Sequence, residues 1–499
     1  MIQSDGKTRG TASDSKYSRG LVAVSGVRIW DIEVRGTVEE THLRALVASY
    51  YEKRFREWLD KSWNRDAVIP AWTRGASPGR SPAAHSLLPG DAPTPPPPGM
   101  ADAMEEWRKG EYGEFLARTD SLRDLPSRTA VFIGALRDMA LGRNARAKEA
   151  LDRLLEEEPD CSGALLHRGI IRLHLRDLEG AAADLEGARS GAASMPSLYL
   201  ALATLALQEG DLERAHAHLG DAKVAGAWTP SLERLARWVQ RSREGPQWPR
   251  KYEERNRNTV VASDHSLELC REVARLLERS YLAYTGVFPK TARPKAPLRV
   301  WVFSNRDAYL RYAADLGRDL EKTAGAYIAS VGEMVLFVPD IARADFRATV
   351  KHEAFHAFLD CLVEDAPTWF DEGFAQWFES VEVTGGAVAP AEVRPIGRVA
   401  LWALAAAAPA TLKALLLMDH ATFMQSADLH YEESRALVQY LFECKDPPGK
   451  HILMEYLGSL RAGITKEEAF QKHFEPRLTA LQSGLAAWIH SRLGERTDK

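Results

Sequence analysis

The residues with the clearest capacity for chemistry form one short run, His352-Glu-Ala-Phe-His356. Histidines four positions apart lie on one face of a helix, about one turn apart, so both imidazoles can reach a single metal ion. Glu353 lies beside that face, where its carboxylate can hold and deprotonate a water molecule. The alternative for these five residues alone is a surface helix with two solvated histidines. Apolar residues at Val350, Phe355 and Phe358 favour a helix with a buried side instead.

A second segment offers a further metal ligand. Glu372 follows His356 after fifteen intervening residues and opens a second apolar helix. A catalytic zinc site uses three protein ligands and keeps a fourth position open, so Glu372 is the candidate third ligand. The alternative is that Glu372 is a carboxylate at a helix N-terminus, stabilised by the helix dipole. The two interpretations are compatible, and imidazoles with carboxylates favour one Zn²⁺ ion, although ligand types alone do not fix the metal.

These two segments together resemble a known family. HExxH followed by Pro367-Thr-Trp-Phe-Asp-Glu-Gly373 is similar to the gluzincin zinc metallopeptidases, and particularly to the peptidase MA-like group. The resemblance covers roughly residues 250–480. It implies a thermolysin-like catalytic domain that hydrolyses peptide bonds in a peptide or protein substrate.

The resemblance also implies roles for individual residues. His352, His356 and Glu372 would be the ligands of one Zn²⁺ ion, and Glu353 would be the general base. An edge strand, expected at Met334–Val338, would align an extended peptide substrate.

A third segment resembles one branch of the same family. Leu429-His430-Tyr431-Glu-Glu-Ser434 opens another amphipathic helix and is similar to the Y-E-x-G segment of the alanyl aminopeptidases. This implies that Tyr431 donates a hydrogen bond to the oxyanion of the tetrahedral intermediate. Ser434 replaces the family's glycine. The alternative is a tyrosine that only packs at a helix start, and His430 is a second candidate for the role.

Two departures from the family pattern bear on function. An intact GAMEN motif for recognising a free amino terminus is missing, which argues against an aminopeptidase. Gln376 stands where thermolysin has an aspartate four residues after its zinc-binding glutamate. The hydrogen-bond partners of the two histidines therefore stay open among Asp371, Asp360 and Glu379. The other histidines, at positions 265, 420, 451 and 473, are expected to be ordinary surface or core residues for the most part.

The C-terminal half, residues 250–495, must position these residues. Strands are predicted at Asn258–Ser263 and Leu298–Phe303, with a hairpin of Gly325–Ala329 and Met334–Val338. Helices are predicted at Leu267–Tyr284, Asp307–Leu316 and Ala342–Leu362, and helices dominate from Arg343 to the end of the chain. Strands first and helices afterwards indicate an α+β fold, with a small mixed sheet in a chain that is mostly helical.

Residues 101–245 are strongly helical and repeat themselves. The blocks that begin at Arg143, Asp177 and Asp211 start 34 residues apart, and each has an alanine four positions on. This resembles the tetratricopeptide repeat, a helix–turn–helix unit of 34 residues. The alternative is a bundle of helical hairpins with accidental spacing. In either case a stacked array is expected, with a concave face that can hold a protein partner.

The first hundred residues carry less information. Residues 1–73 have no assigned role; loose alternation at Leu21–Val34 is compatible with strands, and Glu39–Trp63 has helical spacing. Residues 74–100 are rich in proline, glycine and serine and are predicted to be a linker.

Composition narrows the choice of function. The chain has 499 residues, a formal net charge of −4 and four cysteines far apart in the sequence. The near-neutral charge argues against nucleic acid and anionic membranes as partners, and the cysteine spacing excludes a disulfide scaffold. A polar start and a proline within the longest apolar stretch, Val399–Met418, predict a protein with no signal peptide and no membrane span, located in the cytoplasm. The two functions that stay open are a zinc peptidase, active or gated by a partner, and a repeat-type binding scaffold with a catalytically silent metal-binding domain.

Overall fold

The structure is a computed structural model of the chain. It describes residues 21–29, 32–39, 88–90, 99–289, 296–321, 323–338, 343–379, 381–384, 387–390, 396–397, 400–401, 404–405 and 409–494. Helices predominate, and they accompany a mixed sheet of five strands. The strands predicted near the N-terminus are present as an antiparallel pair, β1 (Leu21–Ile29) and β2 (Ile32–Glu39). The helix predicted at Glu39–Trp63 lies almost entirely outside the described residues.

Nine helices of the described chain form an N-terminal array. After α1 and α2, six helices stack as three successive antiparallel pairs joined by short turns, and α9 follows the last pair. The helices of the array are α1 (Met100–Lys109), α2 (Tyr112–Thr119), α3 (Ser127–Ala140), α4 (Asn144–Glu157), α5 (Ser162–His174), α6 (Leu178–Ala192), α7 (Pro196–Gln208), α8 (Leu212–Val224) and α9 (Pro230–Glu244).

The repeated residues explain the 34-residue spacing of α4, α6 and α8. The side chains of Asp177 and Asp211 cap α6 and α8 by accepting hydrogen bonds from backbone N–H groups three residues on. The repeated alanines, Ala147, Ala181 and Ala215, are completely buried between paired helices. A small side chain at this position lets the two helices of a pair approach closely.

The C-terminal half, residues 252–494 as described, begins with the mixed sheet. Its strands follow the order β3-β4-β5-β7-β6; β4, β5 and β7 are parallel neighbours, whereas β3 and β6 pair antiparallel at the two edges. The edge strand at the predicted hairpin is therefore β6, and the placement of the edge at Met334–Val338 is wrong, because β7 pairs on both sides. The strands are β3 (Tyr252–Arg255), β4 (Thr259–Ser263), β5 (Leu298–Phe303), β6 (Gly325–Ile328) and β7 (Glu333–Phe337).

Helices pack on the sheet and complete the C-terminal half. The described helices are α10 (Leu267–Val287), α11 (Arg306–Asp315), α12 (Arg343–Asp360), α13 (Thr368–Glu379), α14 (Pro409–Leu417), α15 (His420–Met424), α16 (Ala427–Glu443), α17 (Gly449–Arg461), α18 (Lys466–His473) and α19 (Leu478–Gly494). A short hairpin, β8 (Val381–Thr384) and β9 (Ala387–Pro390), follows α13. Within the described ranges no helix combines the length and the apolar character that crossing a membrane requires.

An aromatic core fixes α12 against α10 and α13. Phe355 of α12 is completely buried and stacks on Phe374 and Phe378 of α13. Tyr284 of α10 packs against Phe355 and donates a hydrogen bond of 2.7 Å to the backbone carbonyl of Lys351. Rings that interlock in this way hold the rotation and the axial position of α12, which carries the HExxH residues.

The array packs directly on the C-terminal half. Helices α5, α7 and α9 face the end of α12 and the loop after α17. Arg176 in the α5–α6 turn forms an ion pair with Asp360, the last residue of α12. At the other end of the contact, Ser242 of α9 donates a 2.6 Å hydrogen bond to the buried carboxylate of Glu333 in β7. The inner face of the array is therefore turned toward the chain's own C-terminal half and contacts it at these two points.

Candidate metal centre

The two histidines of the HExxH run lie side by side on α12. Their ring centroids are 4.7 Å apart, one turn of helix, and the opposite side of α12 is buried through Val350, Phe355 and Phe358. The helical spacing thus places both imidazoles at the wall of a cleft of about 680 Å³. This arrangement is the one predicted for His352 and His356.

Helix α13 brings Glu372 to the same point. Its Oε2 atom lies 3.4 Å from Nε2 of His352 and 3.8 Å from Nε2 of His356. That oxygen is buried and makes no hydrogen bond to any described group. The three donor atoms all lie within 4.8 Å of one another. Donors about 2.0–2.1 Å from a tetrahedral zinc ion are themselves about 3.3 Å apart, so this set needs only a small contraction to enclose one ion.

Each imidazole has one carboxylate beside its outer nitrogen, Nδ1. Nδ1 of His352 lies 2.6 Å from Oε1 of Glu379, and Nδ1 of His356 lies 2.6 Å from Oδ1 of Asp371. A carboxylate at Nδ1 keeps the proton on that nitrogen and leaves the Nε2 lone pair for a metal. Of the three candidate partners, Asp371 and Glu379 contact the histidines. Asp360 does not, because it pairs with Arg176 and Tyr327.

The electrostatics of this cluster favour a cation. Burial opposes protonation of His352, but the adjacent Glu372 and Glu379 carboxylates raise its pKa well above the ordinary value. Burial likewise opposes protonation of His356, yet the Asp371 carboxylate raises its pKa to about 9. Burial alone would raise the pKa of Glu372, but the neighbouring imidazoles lower it. A divalent cation can replace the positive charge that protons supply to this set of donors.

Glu353 faces the same cleft from beside the histidines. Its Oε2 atom accepts a 2.8 Å hydrogen bond from the backbone N–H of Tyr327 in the edge strand β6. Strand β6 can come this close because position 325 is glycine: a Cβ there would lie 3.1 Å from Cγ of Glu353 and 2.7 Å from Cγ2 of Thr349. The edge strand thus holds the Glu353 carboxylate in place and forms one wall of the cleft.

Tyr431 also lines the cleft, together with His420 and Met424. Helix α16, which carries Tyr431, packs closely on α13, because a Cβ at position 373 would lie only 2.7 Å from the backbone oxygen of Ser434. Burial and the nearby carboxylates of Glu372 and Glu353 raise the pKa of the half-buried Tyr431, so that it keeps its proton as a donor.

His430 does not face the cleft, and its candidacy for the oxyanion role is wrong. The side chain is completely buried, and its Nδ1 atom lies 2.8 Å from Oε2 of the equally buried Glu433. Tyr431 and His430 are neighbours on a helix, so their side chains point about 100° apart, and only one of them can reach the cleft. His420, for which the sequence predicts no special role, lines the cleft instead.

The chemistry of the donors fits a zinc ion on this geometry. Two imidazole nitrogens, freed by their carboxylate partners, and one unpartnered buried carboxylate oxygen converge at the wall of an open cleft. Three protein ligands with room for a further one is the pattern of a catalytic zinc site, whereas structural sites close all four positions with protein. Comparison with models of known protein families gives no match for this chain. A search of curated protein sequences gives no significant match either.

Proposed function

We propose that this chain is a zinc-dependent metallopeptidase of the gluzincin type, similar to the peptidase MA-like group. The single observation that carries the proposal is the convergence of His352, His356 and Glu372 on one point beside Glu353. In this proposal His352, His356 and Glu372 hold one Zn²⁺ ion. The proposal includes a more specific fold, in which a tetratricopeptide-like array is joined to a gluzincin domain.

The residues of the cleft have distinct tasks in peptide hydrolysis. When bound, zinc supplies Lewis acidity, which acidifies water and polarises a carbonyl group. Glu353 accepts the proton of the attacking water and delivers it to the nitrogen of the leaving amine. The N–H of Tyr327 fixes the Glu353 carboxylate for this transfer. Asp371 and Glu379 hold the two imidazoles in the ligating orientation.

Tyr431 is the proposed donor to the developing oxyanion. Its phenol lines the same cleft as Glu353, and its raised pKa keeps it protonated at neutral pH. A hydrogen bond that strengthens as charge develops lowers the barrier more than it strengthens substrate binding. The edge strand β6, rather than β7, is the strand that can align an extended substrate by pairing with it.

The second candidate function is a protein-binding scaffold whose metal site is catalytically silent. The observation that favours it is the extent of the array, which makes up nine of the helices in the described chain. In this case the zinc ligands would stabilise the C-terminal half, and the array would recruit a partner. The presence of Glu353 in the cleft counts against this candidate, since a purely structural site has no use for a base beside its ligands.

Metal removal separates the two candidates. We expect the zinc-loaded protein to cleave members of a panel of peptides and denatured proteins. This activity should disappear when the protein is dialysed against a chelator, and equimolar Zn²⁺ should restore it. Peptide cleavage is measured by mass spectrometry, and zinc content by elemental analysis of the same samples. The Glu353→Gln variant, loaded with zinc in the same way, controls for contaminating proteases. Stoichiometric zinc without cleavage of any substrate would support the scaffold and contradict the peptidase.

A further inference from the structure

A second and larger cavity lies between the array and the C-terminal half. Its volume is about 1530 Å³, and we call it the chamber. The array lines it with α7 and α9, including Thr204, Leu207 and Leu235, and the C-terminal half lines it with β3, β4, β5, α10, α12 and the turn after β6. Sites that enclose a small molecule have volumes of about 300–1,000 Å³. The chamber is thus larger than a site that would grip such a ligand on all sides.

The chamber borders the cleft of the candidate metal centre. Six residues line both cavities: Gly317, Arg318, Tyr327, Ala329, Asp360 and Glu364. The two spaces therefore meet along β6 and the end of α12. A chain that lies along β6 at the metal centre therefore has the chamber beside it at Tyr327.

The walls of the chamber are held at a fixed distance. Arg176 and Asp360 join the array to α12, and Asp360 also accepts a 2.8 Å hydrogen bond from the hydroxyl of Tyr327. Glu333 accepts hydrogen bonds from Ser242 of the array and from Tyr312 at 2.6 and 2.8 Å. A half-buried ion pair and a fully buried carboxylate with hydrogen bonds to both oxygens are costly to break, so the chamber keeps a limited size. An extended segment of polypeptide fits this space, whereas a folded domain does not.

The chemistry of the walls suits a polypeptide better than a polyanion. Apolar side chains such as Leu200, Leu207 and Trp238 line the space together with charged groups. Most of the lining cations are already paired with carboxylates, as in Arg176–Asp360, Arg243–Glu213, Lys251–Glu253 and Arg299–Glu333. A nucleic-acid site would instead present cations free to contact phosphates.

We propose that the chamber binds an extended segment of the substrate polypeptide, several residues from the scissile bond. The substrate class is then unfolded or flexible protein rather than short peptides, and the array acts in cis as a wall of the substrate site. This inference rests on the proposed peptidase function. Binding energy from a remote part of a substrate can be used to lower the barrier at the reacting bond, so cleavage should be faster for the longer chain.

The test compares a hexapeptide substrate with the same sequence extended by ten residues at either end. We expect kcat/KM to be at least about tenfold higher for one of the extended peptides, because a second set of contacts is added. Thr204→Trp fills the chamber from α7 and is expected to abolish this gain while leaving hexapeptide cleavage unchanged. The matched control is Ala217→Trp, an exposed position on α8 in the same helix pair, which should keep the gain. Leu207→Trp, one turn further along α7, is a second chamber-filling variant should Thr204→Trp fail to fold.

The outcomes distinguish this inference from the proposed function. The proposal that the chamber binds substrate would be contradicted by equal kcat/KM for short and long peptides in the wild type. Equal kcat/KM gains in Thr204→Trp and Ala217→Trp would contradict it too. Neither result would contradict the proposed peptidase function. Binding is also measured without turnover, by fluorescence anisotropy of the labelled long peptide with Glu353→Gln protein. A different outcome is that no substrate is cleaved, but Thr204→Trp weakens this binding at least about tenfold and Ala217→Trp does not. This would support the proposal that the chamber binds a polypeptide and contradict the proposed peptidase function.

Discussion

Replacing Glu353 by glutamine is expected to lower kcat for peptide cleavage by about 10²–10⁴-fold and to leave zinc binding unchanged. The amide cannot accept a proton from water, yet it has the shape of the carboxylate. Its oxygen can still accept the hydrogen bond from the N–H of Tyr327, so the edge strand keeps its position. The measurement is kcat and KM for one cleaved peptide, with zinc stoichiometry determined on the same preparation.

A matched control comes from the same helix. Asp345→Asn also converts an acid into its amide, but Asp345 is exposed in the first turn of α12, two turns before Glu353. It should retain wild-type kcat. Peptide cleavage by Glu353→Gln at the wild-type rate would show that Glu353 is not the general base and would contradict the proposed mechanism.

Truncating Glu372 to alanine is expected to weaken zinc binding by at least about 100-fold and to remove activity at equimolar zinc. Loss of groups that only orient zinc ligands already weakens binding about 10–100-fold, and Glu372 is proposed to contact the ion itself. The two imidazoles would remain, so we expect the variant to keep only weak zinc binding through these two ligands. Zinc affinity is measured by competition with a chromophoric chelator.

Gln376→Ala is the control for this substitution. Gln376 lies one turn beyond Glu372 on α13 and is also half-buried, so both changes remove a side chain of similar length from the same helix. We expect Gln376→Ala to bind zinc as the wild type does. Similar losses of affinity in both variants would mean that α13 tolerates neither truncation, and the ligand role of Glu372 would lose its support.

The elements around the site can be predicted well from sequence, because their patterns are local. The apolar side of the segment that bears His352 and His356 predicts a helix, and that helix runs from Arg343 to Asp360. Strand β5 has the predicted bounds, Leu298–Phe303. The proximity of Glu372 to the two imidazoles follows from resemblance to a paired motif, since spacing along the chain does not by itself specify how two helices pack.

The errors concern features that depend on tertiary structure. The order of strands in the sheet decides which member of a hairpin is at the edge, and the sequence of β6 and β7 gives no sign of the order. The partners of the histidines depend on the rotation of α13 about its axis. A signal for one of them is present, because Glu372 and Glu379 are seven residues apart and so lie on the same face, two turns apart.

The placement of His430 and His420 shows the same limit. A prediction that Tyr431 faces the cleft already argues against His430, its neighbour on the helix, because successive helical residues diverge by about 100°. His420 lies at the start of a short helix, and only the packing of α15 brings it to the cleft wall. The repeat pattern predicts an array with a concave face that can hold a protein partner, and it gives no sign that the turn at Arg176 packs on Asp360 of the C-terminal half.

The most direct test of the central claim is diffraction from crystals of the zinc-loaded protein, recorded on both sides of the zinc absorption edge. We predict one strong anomalous peak, within bonding distance of Nε2 of His352, Nε2 of His356 and a carboxylate oxygen of Glu372, and open to the cleft on its remaining side. Zinc bound elsewhere, or a peak between the histidines that Glu372 does not contact, would contradict it.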